Sequence, residues 1–189
     1  KRKIIGRDMG YHGVTTIAAS MSGLPLMHEP FGLPLPGFLH TDKGHYFWEG
    51  RPGESERNYS KRMASNLDAL IETEGPETVC AFIAEPVMGA SACVAPAEGY
   101  FEEIQKVLKK HDVLFIADEV ITGFRVALGG AREYFGLQPD LSTYAKAMAG
   151  GLSVSAVGGR KEVFDALEDG RTSHFGTYNG NPLSLAAAN

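Results

Sequence analysis

Cysteine is scarce in this chain of 189 residues: Cys80 and Cys93 are the only two. They form no C-x-x-C pair and cannot build a disulfide framework, so a reducing cytosol suits them. Basic runs are missing as well, and with a net charge of −5 the chain offers nucleic acid no electrostatic footprint. No apolar stretch approaches the ~20 residues of a membrane-spanning helix, and no signal peptide is visible. Metal-ligand spacing is absent too. His40 and His45 stand in a loop with a single nearby acid, Asp42, which is poor spacing for a metal site. The chain opens on Lys1 rather than Met and stops at Asn189, inside a starting helix (Pro182-Leu-Ser-Leu-Ala-Ala-Ala-Asn189). The expectation is an excerpt of a longer protein. What remains, 43% hydrophobic and 22% charged residues, is an ordinary globular composition with enough apolar material for one domain core.

The organising stretch is Val113-Leu-Phe-Ile-Ala-Asp118-Glu119-Val120-Ile-Thr-Gly123-Phe124. Five apolar residues without alternation read as a strand buried on both faces, the usual state in a parallel sheet. An acidic pair ends that run. A carboxylate at the tip of a buried strand loses hydration and needs a cation or a set of donors to stay ionised. In open α/β sheets ligands bind at the carboxyl ends of the strands. Asp118 is therefore the anion for a bound cationic group or half of a structural ion pair.

The same pattern occurs earlier. Thr78 to Ala84 reads as a buried strand tipped by Glu85, and Pro86 prevents its continuation. Glu85 is a solvated strand end or faces the same crevice as Asp118. Between the two strands, Gly99 to His111 reads as an amphipathic helix (Tyr100, Ile104, Val107, Leu108), with Lys109, Lys110 and His111 where the helix dipole favours cations. Strand, helix, strand at this spacing is a βαβ unit, for which parallel pairing and a right-handed crossover are predicted.

Upstream, Lys3 to Gly6 reads as a strand and Val14 to Met21 as a helix. The turn Gly10-Tyr11-His12-Gly13 between them holds a ring in an unusual position; its plainer reading is a buried Tyr beside a core His. Residues 23 to 53, rich in Pro and Gly and without periodicity, read as a long surface excursion. Ser55 caps a helix running to about Glu74 whose stripe (Tyr59, Met63, Leu67, Leu70, Ile71) is core packing, and Gly75-Pro76 ends it.

Downstream, Lys146 sits among small and apolar neighbours at the end of a short strand-like run. Desolvation there disfavours the charged amine and frees its lone pair to attack a carbonyl; the alternative is a buried Lys146–Asp118 salt bridge with no chemistry. Val154 to Val157 reads as a strand, Gly158-Gly159 as a turn and Arg160 to Leu167 as a helix. The turn Gly176-Thr177-Tyr-Asn-Gly-Asn-Pro182, just before a helix start, offers backbone N–H groups and a hydroxyl to an anion such as phosphate. A strand-tip acid, an imine-forming amine, an aromatic in a turn and an anion-holding turn are the groups pyridoxal phosphate asks for.

Their order along the chain resembles the class III, ornithine/omega type of pyridoxal-phosphate aminotransferases. The marks are Gly10-Tyr-His-Gly13, Ile83-Ala-Glu-Pro-Val87, Pro96 to Tyr100, Ala117-Asp-Glu-Val-Ile-Thr-Gly-Phe124, Pro139-Asp-Leu141, Ala145-Lys146-Ala147 with its following glycines, and Gly176 to Pro182. From about Phe47 to Phe124 the chain is similar to omega-amino-acid:pyruvate aminotransferases. From Arg125 on it is more like glutamate-1-semialdehyde aminomutase. The resemblance implies an α/β chain, the fold-type-I large domain, with a mostly parallel sheet and flanking helices. Residues 1–189 would be its central part, with an N-terminal segment and a C-terminal small domain missing. It further implies pyridoxal 5′-phosphate held as a Schiff base on Lys146, which then shuttles a proton, and Asp118 on the pyridine nitrogen. Val120 would pack on one ring face and Tyr11 stack on the other, with His12 beside it. Thr177 would bind the phosphate of a neighbouring subunit, hence a homodimer, and Glu85 would lie on the substrate side. The implied reaction moves an amino group from an amine or omega-amino acid to a 2-oxo acid, in the cytoplasm. An intramolecular aminomutase is the alternative, and a non-catalytic binding module a third. Ser91-Ala92 stands where relatives often carry glycine, and Ser153 where many have proline.

Overall fold

The computed structural model describes residues 1–189 and divides them into two compact units, Lys1–Ile116 and Ala117–Asn189. Six strands follow the order β2-β1-β3-β4-β5-β6. The fourth, β4 (Leu114–Asp118), passes from the first unit into the second.

In the first unit β1 (Lys3–Arg7) pairs in parallel with β2 (Phe38–Thr41) on one side and β3 (Val79–Ala84) on the other, Ile4 opposite Phe38 and Ala81. β2 corrects the reading of residues 23 to 53 as structureless. That segment also holds α2 (Pro25–His28), a 3-10 turn (Glu29–Phe31) and α3 (Tyr46–Glu49), with α1 (Thr16–Met21) just before it. Four residues are too few to display a strand period, and it is pairing with β1 that sets them in the sheet.

α4 (Glu56–Glu74) begins where Ser55 Oγ accepts the Asn58 amide at 3.3 Å and ends at Gly75, whose φ is 86°. Tyr59, Met63, Leu67 and Ile71 are each no more than 2% exposed, and burying four such side chains contributes on the order of 6–12 kcal/mol. Leu70 lies at the half-buried margin of the stripe. α5 (Tyr100–Lys110) follows and buries Tyr100, Ile104 and Leu108. Asp68 of α4 binds Lys110 at 2.8 Å and the buried His111, and the hydrogen bonds from Lys110 and His111 hold its carboxyl below the usual range. Glu72 lies close by, and one carboxylate oxygen each from Glu72 and Asp68 and a ring nitrogen of His111 lie within 4.8 Å of one another. Lys110 reaches both acids, so the cluster is an ion-pair clasp between α4 and α5. β3 and β4, joined by α5, are neighbours in the strand order, as the βαβ reading requires.

The second unit contains α6 (Gly130–Phe135), β5 (Leu141–Tyr144), a 3-10 turn (Lys146–Ala149), β6 (Ala156–Gly159), α7 (Lys161–Glu168) and α8 (Pro182–Ala188). β5 and β6 are antiparallel, which gives a mostly parallel sheet one antiparallel pair. Gly158 and Gly159 were expected in a turn; they are paired with Ser142 and Leu141. The ladder runs on to the Arg160 amide, which donates to Asp140 O at 2.9 Å. A side chain at Gly159 would come within 2.3 Å of that same oxygen, so only glycine lets the strands close here. No helix is long and apolar enough to cross a membrane.

Candidate active site

The acidic pair at the tip of β4 separates into two different jobs. Successive strand residues point to opposite faces, and the two carboxylates find different partners. Glu119 is 0% exposed. Its Oε2 accepts the Thr122 hydroxyl at 2.9 Å and the Ala131 amide at 2.6 Å, and its Oε1 the Arg132 amide at 2.9 Å. It thereby satisfies the open N–H groups at the start of α6. Gly130 has φ 71°, and a side chain there would meet Glu119 Oε2 at 2.3 Å. Glu119 is thus a structural capping acid.

Asp118 is 7% exposed. Its Oδ1 accepts the Val120 amide and the Thr143 hydroxyl, both at 3.1 Å. Both of these donors are neutral, and they orient the carboxylate. The Glu119 amide also donates to Thr143 O at 3.0 Å, which locks the tip of β4 against the end of β5. Lys146 follows Thr143 by three residues, so its Cα lies within about 10 Å of that lock.

Lys146 departs from the sequence expectation. It is exposed, not desolvated among its neighbours, and no buried salt bridge to Asp118 occupies it. β5 ends at Tyr144, and Lys146 opens the 3-10 turn with φ 48°, which carries it out of the buried layer. A left-handed backbone at a lysine costs on the order of 1 kcal/mol, and such positions cluster at functional sites. α8 packs on this turn. The Thr177 segment therefore leads into a helix seated beside Lys146. Thr177 is exposed. In its turn the Asn179 and Asn181 amides already donate to Gly176 O and Tyr178 O, and Asn181 Oδ1 takes the Ser184 amide at 3.1 Å. Much of the backbone N–H array expected for an anion is therefore committed, which shifts weight to the Thr177 hydroxyl. Val120 is half-buried and anchored through its own amide.

In the first unit the structure brings Tyr11 and Glu85 together. Glu85 is 4% exposed, which removes the solvated-strand-end reading. Its Oε1 accepts the Tyr11 amide at 2.9 Å and its Oε2 the Gly89 amide at 2.9 Å. The His12 amide donates to Ser22 Oγ at 2.8 Å, and both His12 and Tyr11 are half-buried. Ser91, noted as a departure, is buried and its hydroxyl donates to Met9 O. Ala92 and Cys93 have φ 70° and 57°, the left-handed region that glycine adopts most readily.

Three residues escaped the sequence reading. Thr143 gave no signal, because nothing local marks its hydroxyl as a partner of an acid 25 residues earlier. Glu119 was visible only as half of a pair. Arg7, at the end of β1, is 2% exposed and lies 5.6 and 5.8 Å from the ring centres of Tyr100 and Phe101. A charge ending the apolar run Ile4-Ile5-Gly6 was its only sign.

A family model described as Aminotransferase class-III matches residues 1–189. The chain is 49% identical over 198 residues to "Uncharacterized aminotransferase y4uB" of Sinorhizobium fredii (strain NBRC 101917 / NGR234), covering all of this chain and 42% of that protein. It is 48% identical over 195 residues to gamma aminobutyrate transaminase 3, chloroplastic, of Solanum lycopersicum, covering 100% of this chain and 38% of that one. Among solved structures, the omega transaminase from Pseudomonas jessenii in complex with PMP superposes with a TM-score of 0.95 at 41% identity, over 100% of this chain and 43% of that one. The chain thus spans about two fifths of the length of the curated relatives it matches.

Proposed function

The chain belongs to the class-III aminotransferase family, and from that premise we propose that the protein moves an amino group from an amine or omega-amino acid to a 2-oxo acid, with pyridoxal 5′-phosphate as cofactor. One observation carries the reading. The Asp118–Thr143 hydrogen bond fixes a buried carboxylate beside the end of the strand that leads to Lys146. An oriented anion and an accessible amine on adjoining strand ends suit a cofactor with a basic ring nitrogen and an aldehyde. When bound, the cofactor supplies an electron sink for the pair left behind as a proton leaves the substrate Cα.

The chain's own residues would serve that sink as follows. Asp118 holds a proton on the ring nitrogen, as a charged acceptor raises the proton affinity of its partner. Thr143 and the Val120 amide keep that carboxylate aimed. Lys146 Nζ would hold the cofactor through its aldehyde carbon and, as a free amine, would move the proton between the substrate Cα and that carbon. Its exposure leaves the amine open to an arriving substrate. Thr177 donates its hydroxyl to the phosphate, in the family usually that of a neighbouring subunit, and a homodimer is proposed on that ground. Val120 and Tyr11 are assigned to the ring faces and His12 beside Tyr11. Residues 1–189 are read as the central part of the cofactor-binding large domain, and the cytoplasm as the compartment.

The relatives named above are a transaminase and an aminotransferase, which favours transfer between two molecules over the aminomutase outcome. The test is a half-reaction with the intact, cofactor-loaded protein and an amine donor in the absence of any 2-oxo acid. Expected is one equivalent of carbonyl product per site, after which turnover stops until a 2-oxo acid is added. Continuous formation of an isomer of the donor would establish an aminomutase. A protein that takes up no pyridoxal phosphate would leave only the binding module.

A further inference from the structure

Both oxygens of the Glu85 carboxylate are spent on backbone amides, one on each of two different loops. The Tyr11 amide belongs to the turn after β1, and the Gly89 amide to the loop after β3; each is 2.9 Å away. The main chain of Glu85 is anchored in turn, since its carbonyl accepts the Arg7 guanidinium, itself buried at the end of the neighbouring strand. The Tyr11 turn is held from its other side as well. Ser91 Oγ donates to Met9 O, the Gly10 amide to Arg7 O at 3.0 Å, and the Gly23 amide to Gly10 O at 2.9 Å. Met9 keeps φ 65° within this lattice, a left-handed conformation that a non-glycine residue holds only when its surroundings over-determine it. Such density of bonds around four residues fixes the direction in which the Tyr11 ring leaves the main chain.

We infer that Glu85 is a positioning residue, which sets the attitude of the Tyr11 ring by clamping its amide, and that it makes no contact with substrate. The inference rests on the reading that Tyr11 stacks on the cofactor. The carboxylate is required, because both of its partners donate. In Glu85→Gln one oxygen becomes an NH2 that faces an N–H, so one of the two clamps is lost and the other loses its charge. Glu85→Asp is one methylene shorter and cannot span both loops.

The test uses the intact protein and begins without cofactor. In Glu85→Gln, hydrogen exchange should quicken about tenfold or more at whichever of the Tyr11 and Gly89 amides faces the new NH2, the loss expected for a buried hydrogen bond to a charged group, and less at the other, while the amides of β3 keep their protection. Ser91→Ala, a milder change at the other side of the turn, should quicken Tyr11 to a lesser degree. With cofactor bound, Glu85→Gln should alter the visible circular dichroism of the cofactor and lower kcat about tenfold. KM for amine and 2-oxo acid should stay within about twofold, since no substrate contact is lost. Tyr11→Ala should show the same spectral change, and the double variant should add nothing to it. A raised KM with an unaltered spectrum would make Glu85 a substrate ligand and overturn the inference. Unchanged exchange at both amides would overturn it too. A wild-type protein that binds no pyridoxal phosphate would sink the functional reading instead, and the exchange arm would still decide the clamp.

Discussion

Replacing Glu119 with glutamine probes whether the two adjacent acids at the tip of β4 do separate work. All three partners of the Glu119 carboxylate are donors: the Thr122 hydroxyl, the Ala131 amide and the Arg132 amide. A carboxylate accepts all of them; a carboxamide cannot. In its best orientation the glutamine oxygen takes the place of Oε2 and keeps Thr122 and Ala131, while its NH2 confronts the Arg132 N–H. One buried donor left unsatisfied costs about 1–3 kcal/mol, and the two surviving bonds lose their charge assistance at roughly 0.5 kcal/mol each. The sum is a destabilisation of about 2–4 kcal/mol. At about 2–4 °C per kcal/mol for a domain of this size, the melting temperature should fall by roughly 4–16 °C. Thermal unfolding of the intact protein, followed by far-UV circular dichroism, measures this directly. Below the transition, the variant should retain cofactor and most of its kcat, because Glu119 orients no reacting group. A Glu119→Gln protein as stable as the wild type would refute the capping role. One that melts normally but has lost its chemistry would show that the two acids had been assigned the wrong way round.

Further perturbations read other parts of the account. Asp118→Asn should lower kcat roughly 100-fold or more while cofactor affinity changes less than about tenfold, because a neutral partner no longer holds the ring nitrogen protonated; equal kinetics in the variant would count against the role. Thr177→Ala should weaken cofactor retention about three- to tenfold on dialysis, the loss of one hydroxyl donor, and unchanged retention would hand the phosphate to backbone amides. Glu54 is held down to about 2 by the Arg62 guanidinium and the Arg51 amide, from an ordinary 4.5. A carboxyl depressed in the folded state contributes stability above its unfolded value and loses it as pH falls through the folded one. The difference in melting temperature between wild type and Glu54→Gln should therefore be constant above pH 4.5 and disappear towards pH 2. A difference that persists at the acid end would mean that the ion pair does not carry it.

Sequence reasoning succeeded where the signal is local. The α4 helix announced itself through Ser55, a 3.6-residue stripe and Gly75, and all three behave as the pattern predicts. The strand-tip position of Asp118 and Glu85 was legible for the same reason, since an unbroken apolar run admits few other structures. What was not legible depends on partners distant in the chain. The donors that separate Glu119 from Asp118 stand 12 and 13 residues on, and Glu85 clamps an amide 74 residues upstream. β2 was missed because four residues carry no period of their own, and Gly158-Gly159 because a pair of glycines signals a turn unless a neighbouring strand comes too close for a side chain. The exposure of Lys146 was unreadable because its small neighbours suggested burial, whereas the left-handed turn at that residue is set by the strand end before it.

Borohydride reduction of the intact, cofactor-loaded protein, followed by peptide mass mapping, tests most directly whether Lys146 is the amine that carries pyridoxal phosphate. The account predicts one stable adduct, on Lys146, and none in a Lys146→Ala protein. An adduct on a different lysine, or labelling that survives Lys146→Ala, would contradict it.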